Sequence, residues 1–171
     1  MYKHALIILW LTLMLPGCGY QVGPIAPSAN SDWQQTTVRI EGLGAKQDPL
    51  LAEALRQGVA RQLGCDGTPV SASAPTKPHR ELVIRLEPVE RALHLEDRTG
   101  LADQYQIRLR AQPRLLVDGN PGKPGYPEAK SVVIYNELRT VSASQAAREQ
   151  ATREALTQLV DALAMLLGTT F

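Results

Sequence analysis

The sequence predicts an α+β fold: a two-layer sandwich, with a four-stranded, mostly antiparallel sheet and two helices on one face. Three observations predict it. The periodicities run in the order β-α-β-β-β-α. The last three strand signals follow one another without a helix between them, as in an antiparallel meander. Both helical segments carry an apolar stripe wide enough to cover a sheet, so one shared apolar surface satisfies them both.

The first strand is 36–42 (TTVRIEG), where Val38 and Ile40 alternate with Arg39 and Glu41. Gly42-Leu43-Gly44 reads as the turn that follows. Asp48-Pro49 then opens a helix, Asp at the N-cap and Pro at the first helical position. Its apolar positions Leu51, Leu55, Val59 and Leu63 recur every fourth residue, with Ala54 and Gly58 beside them, and Gly64 is placed to end it. Residues 66–80 are small, polar and Pro-rich, and read as a loop.

The second strand is 81–87 (ELVIRLE), with Leu82, Ile84 and Leu86 on one side. Pro88 cannot donate to a ladder and marks a bulge or an edge; the strand can resume through Leu93 and Leu95. The clearest alternation in the chain follows. Tyr105, Ile107, Leu109 and Ala111 are interleaved with Gln106, Arg108, Arg110 and Gln112, and the strand continues past Pro113 into 115–117. Residues 118–129 hold three Pro and three Gly and read as a long turn-rich connection. A last strand, 130–141, leads to a helix ending near Leu167, with Ser142 and Gln145 spaced as a capping box and Ser144 as a rival cap. The open sheet face is then expected to carry Arg85, Glu87, Arg108 and Arg110.

The N-terminal residues carry a different signal. Lys3 precedes an apolar run, 5–15 (ALIILWLTLML), too short to span a bilayer but of the length of a signal-peptide core. Leu15-Pro16-Gly17-Cys18 resembles the lipobox of bacterial lipoproteins. That resemblance implies a covalent diacylglycerol and an N-acyl chain on Cys18; two or three acyl chains, each buried CH₂ contributing about 0.8 kcal/mol, hold a protein to a membrane durably. Gly19, in place of the Asp that favours inner-membrane retention, implies an outer-membrane destination with the domain in the periplasm. Residues 1–17 thus read as a signal peptide, 18–35 as a lipidated tether, and 36–171 as a single α+β domain.

Charge and composition narrow the function. Apart from Lys3, the basic residues equal the 17 acidic ones in number, and Phe occurs once, at the last position. A neutral chain poor in aromatics is not built for nucleic acid. Cys65 is the one other cysteine, and with Cys18 alkylated no internal disulfide can form; burial beneath the turn at Gly64 is expected. His79 and His94 stand apart from each other and from any metal-ligand spacing, and neither a nucleophile elbow nor a phosphate-binding glycine loop occurs. Glu87, Glu90, Glu96 and Asp97 read as solvated carboxylates. The expectation is a protein that is not an enzyme and holds no metal or cofactor. Arg85, Arg108, Arg110 and Arg114, on neighbouring strands, are candidate ligands for lipid phosphates, since guanidinium pairs with phosphate in a bidentate fork.

Taken together, the chain resembles the LPS-assembly lipoproteins, the LptE (rare lipoprotein B) family. The resemblance rests on Cys18-Gly19-Tyr20, on the helix with Pro49-Leu50-Leu51 and Ala54-Leu55, on the strand Tyr105-Gln106-Ile107-Arg108-Leu109, and on the strand with Tyr135 that leads into an Ala-rich C-terminal helix. It implies a large outer-membrane β-barrel as partner, which inserts lipopolysaccharide into the outer leaflet. The lipoprotein plugs that barrel, is needed for its assembly and is reported to bind lipopolysaccharide. On this reading the loop 118–129 touches the barrel, with Lys123 and Tyr126 exposed. An adaptor lipoprotein of another envelope machine, a phospholipid-transport auxiliary or a secretion pilotin, is the alternative.

Overall fold

The computed structural model describes residues 33–34, 36–65, 80–96, 102–122, 125–138 and 140–168. Their elements are β1 (Thr36–Glu41), α1 (Leu43–Gln47), α2 (Pro49–Leu63), β2 (Arg80–Leu86), β3 (Glu90–Leu95), β4 (Ala102–Val117), β5 (Asn120–Pro121), β6 (Ala129–Leu138) and α3 (Val141–Gly168). The class is the α+β sandwich the periodicities predict.

The sheet is organised around β4, whose 16 residues reach every strand but β1. β2 pairs antiparallel with its C-terminal half, from Leu86↔Ala111 to Arg80↔Val117. β3 pairs with its N-terminal half, Glu90↔Arg108 to Leu95↔Gln104. β6 runs along the opposite edge, from Ala111↔Ala129 to Ala102↔Leu138. β1 adds outside β2 in parallel register, Val38 opposite Leu82.

Six strands therefore appear among the described residues where four are expected, for two physical reasons. Pro88 interrupts one long strand, and β2 and β3 are its two halves along the same edge of β4. The other addition is β5. Asp118 and Gly119 both take positive φ, 52° and 78°, which folds β4 back on itself so that Val117 faces Asn120. Asp-Gly is a preferred pair for such a tight turn.

Pro113, fully buried inside β4, looks out of place in a central strand. It stands opposite Ile84. On the other edge β6 pairs no further than Ala111 and β5 begins only at Leu116. The missing N–H falls in that gap, and no ladder bond is lost.

The core lies between one sheet face and the two long helices. Leu82, Ile84, Leu86, Ile107 and Leu109 rise from the sheet to meet Leu55 and Val59 of α2 and Ala155, Leu159, Leu163 and Leu167 of α3. The α2 caps are those the sequence predicts. Asp48 accepts from the Leu51 N–H at 2.9 Å. Gly64 sits at φ 68°, and the Cys65 N–H reaches Ala60 O at 2.9 Å. Cys65 packs half-buried against the core.

Two local expectations are corrected. α3 begins at Val141, with Ser144 N–H bonded to Thr140 O at 3.0 Å, so Ser142 lies inside the first turn and caps nothing. Gln145 bonds instead to Glu149 at 3.1 Å. The second concerns Gly42-Leu43-Gly44. Gly42 makes the turn at φ 104°, but Leu43 and Gly44 already belong to α1. A Cβ on Gly44 would stand 2.2 Å from Glu87 O, so α1 packs backbone-close on the end of β2.

Candidate functional site

The open face of the sheet follows from the register. Side chains that share a row across paired strands share a face. Arg39 stands beside Val83 and Arg114, Arg85 beside Gln112, and Glu90 beside Arg108. Arg110 stands beside Lys130 on β6. These are the non-core positions of their strands, so charge gathers opposite the helices, as the alternation predicts.

The charge is largely internally paired. Arg110 is the hub: its guanidinium binds Glu90, lies 3.3 Å from Glu87 and 3.8 Å from Glu128. Arg108 meets Glu90 at 3.4 Å, and Lys130 meets Glu128 at 3.5 Å. At the other end, Arg39 donates to Glu81 at 2.7 Å and approaches Glu41 at 3.3 Å, which raises its pKa above the usual value, chiefly through the Glu81 hydrogen bond. Two cations are left over. Arg85 and Arg114 are exposed and carry no ion pair among the described residues. They occupy diagonal positions on adjacent strands, since Arg85 faces Gln112 and Arg114 faces Val83. Diagonal neighbours lie about 7–8 Å apart, a span that two guanidinium groups can close on one phosphorylated headgroup.

The four candidate arginines thus share one face but not one state. Arg108 and Arg110 are committed to carboxylates; Arg85 and Arg114 are available. Of the loop residues, Tyr126 corrects the expectation of exposure: it is half-buried against the core, and that burial raises its phenol pKa. Lys123, Cys18, His79 and Asp97 lie outside the described residues. His94 is exposed on β3, and Glu96 is exposed just past it.

A second cluster lies on the helix side, where the N-terminal half of β4 extends past α2. Arg91 enters this side because it is opposite Ile107, a core position. Its guanidinium lies 3.9 Å from the centre of the Tyr105 ring. Its Nε donates to Tyr135 Oη at 2.8 Å, and its Nη2 meets Glu137 at 2.6 Å. Tyr135 Oη in turn donates to Glu137 at 2.9 Å. The Tyr135 hydrogen bond is the main cause of a raised Arg91 pKa, and burial is the main cause of a raised Tyr135 pKa. Arg91 and Glu137 help to floor a groove of about 1070 Å³ between the start of α2 and the first turns of α3. Its rim carries the exposed side chains of Leu50, Val89 and Val141. Sequence reasoning missed this cluster. The available signal was Tyr105 and Tyr135, two of five tyrosines, at inward positions of successive strands.

Comparison with solved structures places this geometry. A protein of Caulobacter crescentus classed as a lipoprotein superposes with a TM-score of 0.56 at 18% identity, over 81% of this chain and 91% of that one. An uncharacterised lipoprotein B of Nitrosomonas europaea gives 0.51 at 13% identity, over 79% and 83%. The fold is one that bacterial lipoproteins use. No family model matches the chain, and no curated protein matches it. At these identities the likeness is one of fold.

Proposed function

We propose that this chain is an envelope lipoprotein, anchored in the outer membrane through acylated Cys18, that plugs and helps assemble the lipopolysaccharide-export β-barrel. What carries the reading is the lipobox-like Leu15-Pro16-Gly17-Cys18 joined to a fold found in a protein named lipoprotein B. Neither half is specific alone. Together they describe a tethered α+β domain of the kind the sequence resembles.

The geometry suits a plug. The lumen of such barrels is polar, and the open sheet face offers paired charges, beside the exposed side chains of Val132 and Ile134 on β6. Arg85 and Arg114 are the groups proposed to meet lipopolysaccharide phosphates. Arg108 and Arg110, already neutralised, shape that face instead.

The test is depletion of the protein, followed by measurement of outer-membrane permeability and of assembled barrel. Raised permeability with loss of assembled barrel is expected; normal levels of both rule the role out. A pull-down through a C-terminal tag separates the adaptor reading, which requires a different envelope complex to co-purify. Arg85→Glu/Arg114→Glu is expected to weaken lipopolysaccharide binding, read on immobilised lipopolysaccharide, while Arg108→Gln leaves it within about threefold of the parent protein, because a guanidinium already held by a carboxylate has little left for phosphate.

A further inference from the structure

β6 forms one edge of the sheet. Its inner edge pairs with β4 in unbroken register from Ala129 to Leu138, and no strand among the described residues pairs with its outer edge. Edge strands are usually blunted by shortness, a bulge, proline or charge. β3, on the far side of β4, is irregular between Leu93 and Leu95, and β5 is two residues long. β6 is ten residues long, holds no proline and no bulge, and carries its charges near its ends, at Lys130 and Glu137. Between them Val132 and Ile134, on the open face, are 45% and 50% exposed. The edge therefore presents backbone groups and a short aliphatic ridge together, the combination that an added strand covers.

The strand is complementary to itself. Turned about a two-fold axis through Val133, it pairs antiparallel with its own copy as Val132↔Ile134, Lys130↔Asn136, Ser131↔Tyr135 and Ala129↔Glu137. The two exposed aliphatic side chains then meet each other twice, once on each side of the axis. Moving the axis to residue 132 sets Ile134 against Lys130, and moving it to 134 sets Val132 against Asn136. Charge selects the same register. On the open face Lys130 shares its row with Arg110 and Val132 with Arg108, whereas Ile134 shares its row with Gln106 and Asn136 with Gln104. The charged rows of one copy thus run into the amide rows of the other. No like charges oppose each other in β6, and Lys130 comes opposite an amide oxygen that can accept from it.

We propose that the outer edge of β6 pairs with β6 of a second copy of this chain, antiparallel and about a two-fold axis at Val133, so that the two sheets become one. The interface is isologous, the same strand serving both sides, and it closes on itself as a dimer rather than growing into a filament. It concerns the chain apart from any barrel, and goes beyond the plug reading.

Single cysteines in the full chain, with Cys65→Ser, test the register. Val132→Cys and Ile134→Cys proteins are mixed in detergent under a glutathione redox buffer, and the disulfides are mapped by mass spectrometry. In the proposed pairing positions 132 and 134 of the two copies are directly opposite, with Cα atoms about 4.5–5.5 Å apart and within disulfide range. Positions 132 and 132, or 134 and 134, are diagonal, about 7–8 Å apart, and too far. The 132–134 bond is expected to exceed either like bond at least about tenfold. A lipid anchor that merely gathers chains in one micelle raises all three bonds alike. Chance proportions, an excess of a like bond, or no bond between these positions overturn the proposal.

Val132→Lys/Ile134→Lys gives an independent reading. Both side chains are exposed, so the fold is expected to keep its far-UV circular dichroism, while lysine now opposes lysine twice across the axis. In sedimentation equilibrium at about 0.1 mM the parent chain is expected to be a dimer and the variant a monomer. Exchange of alternate β6 amides is expected to be at least about tenfold faster in the variant, with β4 unchanged. A monomeric parent overturns the proposal. So does a folded variant that remains a dimer, which places the contact elsewhere. Alternate β6 amides equally slow in both proteins assign the edge to the chain's own residues, and overturn it too. Neither arm depends on acylation of Cys18 or on any barrel, so failure here leaves the proposed function standing.

Discussion

Arg91 lies flat over Tyr105, its guanidinium carbon 3.9 Å from the ring centre, while its nitrogens reach past the ring to Tyr135 and Glu137. One side chain therefore joins β3, β4 and β6 at the end of the sheet that α2 does not cover. Arg91→Ala removes a cation–π contact worth about 0.5–1 kcal/mol and leaves Glu137 without its cation, so a loss of about 1–2 kcal/mol is expected by urea unfolding. Arg91→Lys keeps the charge but not the planar fork, and is expected to fall between the two. An Arg91→Ala protein as stable as the parent would show that the three strands are held without this link.

Gly58 and Val160 set how closely α2 and α3 approach. A Cβ on Gly58 would stand 2.8 Å from Val160 Cγ2, closer than real contacts allow. Val160 is stiff at χ1 and cannot simply turn away. Gly58→Ala is expected to lower stability by about 1 kcal/mol, the helix-propensity gain of about 1 kcal/mol being outweighed by overpacking. In a Val160→Ala background the clash is gone, and the same substitution is expected to stabilise by about 1 kcal/mol. The reversal of sign, read by a double-mutant cycle in denaturant, is the diagnostic result.

The open face divides its arginines in a way that stability measurements can detect. Arg110→Ala leaves Glu87, Glu90 and Glu128 facing one another without their shared cation. A loss of about 1–2 kcal/mol is expected, more than a single exposed pair supplies because several charges depend on one group. Arg85→Ala removes an exposed side chain with no carboxylate partner among the described residues, and is expected to stay within about 0.5 kcal/mol of the parent. Thermal unfolding of the two variants side by side checks the contrast.

That division was beyond the sequence, although the face itself was not. Alternation in 36–41, 81–86 and 105–112 assigned the core side correctly because period two is imposed by the pleat whatever the neighbours are. Asp48, Gly64 and the apolar stripe of α3 were legible for the same local reason. Partner choice is not local. Whether Arg110 or Arg114 meets a carboxylate depends on register, and register brings in Glu90 from β3 and Glu128 from the segment just before β6. Val83 shows the other limit. It is 4% exposed on the open face, in one row with Arg39 and Arg114. Long arginine stems bordering an apolar residue shield it from water, which no alternation rule anticipates. β5 is different again: Asp118-Gly119 was a readable hairpin signal, hidden among the prolines and glycines around it.

Acid is expected to separate Glu53 from the rest of α2. Arg56 donates to its carboxylate at 2.6 Å and Gln57 at 2.7 Å, and these bonds, the Arg56 one foremost, draw its pKa from an ordinary 4.5 down to about 2. The direction fixes the sign. A carboxyl whose pKa is lower in the folded chain contributes stability above its unfolded value, and loses that contribution as the pH falls through the folded one. The contribution of Glu53 is thus complete above about pH 4.5 and gone below about pH 2. Glu53→Gln cannot ionise and lacks it at every pH. The melting-temperature difference between parent and Glu53→Gln is therefore expected to be small, constant from pH 5 to 8, and to close between pH 4.5 and 2, the window set by those two values. Arg56 stays charged throughout, so it cannot mimic the effect. A difference that persists unchanged at pH 2 would mean that the glutamine substitution acts through packing or propensity rather than through the carboxylate.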